Sequence, residues 1–140
     1  MTAADLTALL ASGEELYNLL LSEAEALLRN FDTNSAEDFE QAVACRERIM
    51  TSLDDFNGRL SALSSQGSGH GDAEQLLSSF HRLQEESTKK IVELDSLVIA
   101  LARERLVTLG EEMSALARGK SALHSYEGGR EERHNMSRTA

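Results

Sequence analysis

The sequence contains no proline and no tryptophan, and aromatic residues make up only 4% of its 140 residues. Proline interrupts helices, and β-strands favour aromatic and β-branched side chains, so both shortages favour long α-helices. Apolar residues make up 41% and charged residues 27%, which is the balance of a folded protein rather than a disordered one. A chain of this length predicts one domain with a modest core.

The sequence also lacks a bilayer-spanning apolar run, a signal-peptide pattern at its N-terminus and a second cysteine besides Cys45. We therefore expect a cytoplasmic protein with a reduced thiol and no membrane insertion. The formal charge of −10 argues against nonspecific nucleic-acid binding. Residues 1–117 hold 9 basic and 21 acidic residues, whereas residues 118–140 hold 5 and 3. The second segment is therefore either a solvated tail or a docking tail.

Residue patterns that carry chemistry are missing as well. Di-iron helical bundles need two Glu-x-x-His motifs and two further glutamates, whereas this chain has one such spacing, from Glu131 to His134. Cys45 lies near Arg46 and Arg48 but near no histidine in sequence, which favours an unreactive half-buried thiol. No nucleophile elbow or phosphate-binding glycine loop is present. We expect no enzyme, no cofactor and no metal site.

The first helix is predicted over residues 4–31. Its apolar and small residues recur at steps of three and four, in a stripe wide enough to contact more than one neighbour: Leu6, Leu10, Gly13, Tyr17, Leu20, Ala24, Leu27 and Phe31. Ser12 and Glu15 have capping-box spacing, so the helix could instead begin or kink there.

The second helix is predicted over residues 35–63, with Ser35 or Asn34 as its N-cap. Two rows of residues repeat at intervals of seven, as in a coiled coil: Phe39, Arg46, Leu53 and Leu60, and Ala42, Ile49, Phe56 and Leu63. Arg46 alone interrupts this apolar seam. The next residues, 64–71, contain three glycines and three serines and predict a flexible loop.

The third helix is predicted over residues 73–124. The sequence thus predicts an all-α fold, an antiparallel bundle of three long helices over residues 1–125, followed by a disordered tail over 126–140. A break near Gly110 would create a fourth helix. At about 1.5 Å per residue the third helix is much longer than the first two, so its second half has no partner within such a bundle. We therefore expect its apolar residues Leu106, Leu109, Met113 and Leu116 to line a client-binding groove or a dimer interface.

The segment Leu116–Tyr126 resembles the end of the last helix in the flagellar export chaperones of the FliT type. Those proteins have a small and basic stretch, an alanine–leucine pair and a tyrosine, which correspond here to Arg118, Gly119, Lys120, Ala122, Leu123 and Tyr126. Residues 91–101 resemble an earlier part of that last helix, and residues 46–53 resemble the second helix of the same family. The FlgN-type chaperones share the helical-hairpin design and are a close alternative.

The resemblance implies a chaperone that keeps an exported flagellar subunit unfolded and delivers it to the export gate. The client implied is the filament-cap protein, or else a hook–filament junction subunit, and the docking residue for the cytoplasmic part of the gate is Tyr126. A client helix would lie in a groove between helices. The heptad pattern equally favours a scaffolding protein that forms a homodimer through its long third helix.

Overall fold

The computed structural model describes residues 3–65 and 71–139, with side chains over 4–65 and 71–128. It contains α1 (Ala3–Arg29), α2 (Ala36–Ser65) and α3 (Gly71–Thr139), and no strand within the described ranges. The prediction of an all-α fold with three long helices is therefore confirmed. The glycine- and serine-rich loop lies largely outside the described residues.

α3 begins slightly before its predicted start and extends past the predicted end at residue 124. It contains Gly110 without an interruption, so the fourth helix that a break there would create does not form. One glycine costs a helix about 1 kcal/mol, which is a small penalty within a helix of 69 residues. Residues 126–128 are helical, so the predicted disordered tail does not begin at residue 126. Side chains from residue 129 onward lie outside the described residues, and disorder beyond 128 and the domain limit at 125 stay predictions.

The N-terminus of α2 is fixed by a capping box. The backbone N–H of Asp38 donates to Ser35 Oγ at 3.1 Å, and the backbone N–H of Ser35 donates to Asp38 Oδ2 at 2.9 Å. The predicted cap at Ser35 is confirmed. The possible start at Ser12 is wrong, because α1 continues through that residue and its hydroxyl donates to the Leu9 carbonyl at 2.6 Å.

α1 and α2 form an antiparallel hairpin. The rings of Phe31 and Phe39 lie 5.7 Å apart beside the connecting turn, and the Phe56 ring, much later in α2, lies over Gly13, much earlier in α1. This reversed order of contacts fixes the direction of the two helices, so the antiparallel part of the predicted bundle is confirmed for this pair.

The first part of α3 packs on this hairpin within the compact unit formed by residues 1–99. The Phe80 ring lies 5.3 Å from that of Phe56 and 6.3 Å from that of Tyr17. The predicted wide stripe of α1 thus contacts two helices. The buried core consists of Leu6, Leu10, Tyr17, Leu20, Ala24, Phe31, Ile49, Leu53, Phe56, Ala73 and Phe80.

Gly13 has a steric reason to be glycine. A Cβ atom at this position would lie 2.6 Å from Phe56 Cε2 and 2.8 Å from Phe56 Cε1, well inside van der Waals contact. The hairpin can therefore approach this closely only because residue 13 has no side chain. Gly58, in α2, has nothing within 4 Å of the same position.

We predict that Gly13→Ala lowers the free energy of unfolding by about 1–2 kcal/mol, because the overpacking cost exceeds the gain in helix propensity. Gly58→Ala is the matched control and should raise it by up to about 1 kcal/mol, since only the propensity changes. Urea denaturation followed by circular dichroism measures both. Equal stabilisation by the two substitutions would contradict the close packing of Phe56 on Gly13.

Candidate functional site

Arg46, which interrupts the apolar seam of α2, connects three helices. Its Nε donates to Glu23 Oε2 of α1 at 2.9 Å, and its Nη1 donates to Asp95 Oδ2 of α3 at 2.8 Å. All three side chains are partly shielded from water, with exposures of 28% for Arg46, 14% for Glu23 and 31% for Asp95. Arg46 Nη2 is buried and has no hydrogen-bond partner among the described residues.

The environment of Arg46 favours its charged form. Burial by itself lowers the pKa of Arg46, but the hydrogen bonds to Glu23 and Asp95 and their negative charges outweigh burial and raise this pKa above the ordinary arginine value. A raised pKa contributes stability that is present below the unfolded-state value and is lost only as the pH rises through the folded-state value. Arg46 therefore stays charged across the physiological pH range, and its ion pairs are not broken by a change of pH within that range.

A second polar contact joins α1 to α3 about two helical turns from Glu23. Gln84 Nε2 donates to Tyr17 Oη at 2.7 Å. Tyr17 therefore contributes its ring to the apolar core and its hydroxyl to a hydrogen bond, as buried tyrosines usually do.

The four predicted client-binding residues lie in the second compact unit, residues 100–140, and all are exposed. Their exposed fractions are 69% for Leu106, 47% for Leu109, 69% for Met113 and 73% for Leu116. Steps of three and four place them on one face of α3, whereas Val107 lies about 100° around the helix from Leu106. They form a continuous apolar strip, which becomes one wall of a groove only when a second helix packs against it.

Tyr126 lies within α3 rather than after its last turn, so that expectation is corrected. Its side chain is 69% exposed. It follows Leu116, the last residue of the strip, by ten residues, which places it about 15 Å further along the helix and about 80° around its axis. The structure thus separates Tyr126 from the apolar strip, and both surfaces are accessible to partners.

A groove that the sequence did not indicate runs along α2 beside α1. It has a volume of about 550 Å³ and is lined by Glu23 and Leu27 of α1 and by eight residues of α2: Phe39, Ala42, Val43, Arg46, Glu47, Met50, Thr51 and Asp54. Val43 is 58% exposed and Met50 is 48% exposed. One feature of the sequence could have indicated this groove: Val43 and Met50 are apolar but lie outside both seven-residue rows of the core.

The described residues hold neither a metal cluster nor a bilayer-spanning helix. In the part of the chain that the structure describes, no three His, Cys, Asp or Glu side chains converge as metal ligands would. Cys45 is half-buried. Across those same described residues, no helix combines the length and the apolar character that crossing a bilayer requires.

We predict that Arg46→Met lowers the free energy of unfolding by about 1–3 kcal/mol, between the cost of losing an exposed ion pair and a fully buried one. The substitution keeps the apolar stem but leaves the Glu23 and Asp95 carboxylates without their partner. The matched control is the triple variant Arg46→Met, Glu23→Gln, Asp95→Asn, which removes all three charges and should recover most of the loss. Urea denaturation checks both. If Arg46→Met alone is as stable as the wild type, the two ion pairs contribute nothing.

No family model, curated protein or solved structure matches the chain.

Proposed function

We propose that this chain is a binding protein that receives an amphipathic helix of another protein on the apolar strip of α3, and that it serves as a flagellar export chaperone of the FliT type. The observation that carries the proposal is the exposure of the strip. Leu106, Leu109, Met113 and Leu116 are 47–73% exposed while sharing one helix face. Contiguous apolar surface of this kind usually marks an interaction site.

The energetics favour a partner with its own apolar stripe. Fully burying one leucine or methionine side chain stabilises a complex by about 1.5–3 kcal/mol. Several such side chains in line can therefore hold a flexible client segment after the cost of ordering that segment. A helix-in-groove complex would give the exposed strip the burial that it lacks in the described chain.

The resemblance supplies the identity of the partners. It implies an unfolded flagellar subunit as client, the filament-cap protein or a hook–filament junction subunit, and the cytoplasmic part of the export gate as docking partner. A cytoplasmic location, no catalytic role and an antiparallel bundle in which α3 completes the hairpin all belong to this proposal. The Arg46 ion pairs support it by tying the first part of α3 to the hairpin.

The same strip favours a second candidate, a scaffolding protein that dimerises through α3. Two copies of the strip would bury each other's side chains without any client. Sedimentation velocity separates the two: a dimer that dissociates when the strip is made polar, together with no affinity for any flagellar subunit, supports the scaffold.

We predict that Leu109→Gln together with Met113→Gln weakens client binding by at least about 100-fold, because two buried side chains together contribute about 3–6 kcal/mol. Glutamine keeps the helix propensity high. Fluorescence anisotropy with the labelled C-terminal segment of the filament-cap protein measures the affinity. Val107→Gln is the control on a different face and should leave it unchanged. Wild-type affinity in the double variant would rule this strip out as the client site.

We predict that Tyr126→Ala weakens binding to the cytoplasmic part of the export gate by about 2 kcal/mol or more, because exposed tyrosines often act as interface hot spots. Helix content and client affinity should change little, since Tyr126 lies away from Met113 around α3. Isothermal titration with the purified gate domain measures the docking. A lower melting temperature with unchanged docking would instead identify Tyr126 as a packing residue.

A further inference from the structure

The α2 groove offers an apolar surface that is separate from the strip on α3. Phe39, Val43 and Met50 follow one another along its wall, and Val43 and Met50 are about half-exposed. Their neighbours in the core, Ile49, Leu53 and Phe56, point to a different side of the helix and are buried. Val43 and Met50 therefore lie outside the core, whereas Phe39, Ala42 and Arg46 of the groove belong to its seven-residue rows.

A row of carboxylates runs beside this apolar wall. Glu47 and Asp54 line the groove, and Glu40 precedes them at the same seven-residue interval and is exposed. Seven residues are nearly two helical turns, so the three acids lie on one line along α2. Among the residues that the structure describes, no salt bridge involves these three acids: Arg46, the cation in the groove, pairs with Glu23 and Asp95.

We propose that this groove binds an amphipathic α-helix of another protein whose apolar stripe is flanked by lysine or arginine residues at seven-residue intervals. The apolar stripe would cover Val43 and Met50, and the basic residues would face Glu40, Glu47 and Asp54. The complementary charge sets the orientation of the incoming helix and raises its association rate. This site does not depend on the chaperone role proposed for α3.

The geometry fits a helix better than an extended peptide. The wall from Phe39 to Asp54 spans about 22 Å, or about four helical turns, and presents side chains but no free backbone edge for strand addition. A helix with acidic flanks would place like charges against the carboxylate row, which opposes binding.

The test uses the full chain and two labelled helical peptides of about 18 residues, long enough to cover the groove. Both carry the same leucine stripe, flanked by lysines at seven-residue intervals in one and by glutamates in the other. Fluorescence anisotropy should show the lysine peptide binding at least about tenfold more tightly, with the difference shrinking as added salt screens the charges. Equal affinities, or no binding of the lysine peptide, overturn the proposal.

Two variants locate the site. Val43→Gln with Met50→Gln should weaken binding of the lysine peptide at least about tenfold. The control, Val92→Gln with Leu97→Gln, changes exposed apolar residues of α3 and should not weaken it.

Glu47→Lys with Asp54→Lys should shift the preference toward the glutamate peptide. Its charge-matched control, Glu85→Lys with Glu86→Lys on α3, should leave the preference unchanged. Equal effects of variant and control in either pair would show nonspecific attraction and overturn the proposal.

The Leu109→Gln, Met113→Gln variant separates this site from the proposed client site. It should bind the lysine peptide as the wild type does, because its substitutions lie in the other compact unit. Loss of peptide binding in that variant would place the peptide on α3 and overturn the groove assignment. The client-binding experiment uses a different labelled peptide, so its outcome is independent of this one.

Discussion

The ion pairs of Arg46 with Glu23 and Asp95 are the contact on which the arrangement of the three helices depends. A charged side chain in an apolar seam is costly unless acceptors meet it, and here each of the other two helices supplies one. Apolar contacts tolerate sliding, whereas a hydrogen-bonded guanidinium accepts few geometries. The ion pairs therefore fix the axial register of α1, α2 and α3. The leucine-rich faces alone would specify this register only loosely.

About two helical turns or more from Arg46, the helices are stabilised by complementary packing of side chains. Phe56 occupies the space that Gly13 leaves empty, and Phe80 packs its ring against both Phe56 and Tyr17. Ala73 and Phe80 are the buried apolar residues of α3 within the described range, and Leu76, Leu77, Leu83 and Ile91 of the same helix are partly buried against the core. The packed region thus combines apolar contacts, which stabilise it, with the Arg46 ion pairs, which fix how the helices align along their axes.

Two apolar surfaces remain outside this core, and they differ in chemistry. The strip from Leu106 to Leu116 is a single helix face, suited to a partner that brings the second wall. The groove beside Val43 and Met50 has two walls already and an acidic edge, suited to a basic helix.

Periodicity and capping chemistry are local properties, so the sequence by itself determined the helical class, the stripe of α1 from Leu6 to Leu27, the cap at Ser35 and the exposed residues that have no place in a short bundle. Contacts between helices depend on which residues meet across space, and one chain offers many acids that could face Arg46. Only the tertiary structure decided that Glu23 and Asp95 do so, that Phe56 needs a glycine opposite it, and that Val43 and Met50 line a groove. It also decided that α3 continues through Gly110, because a single glycine penalty is small beside the propagation of a long helix.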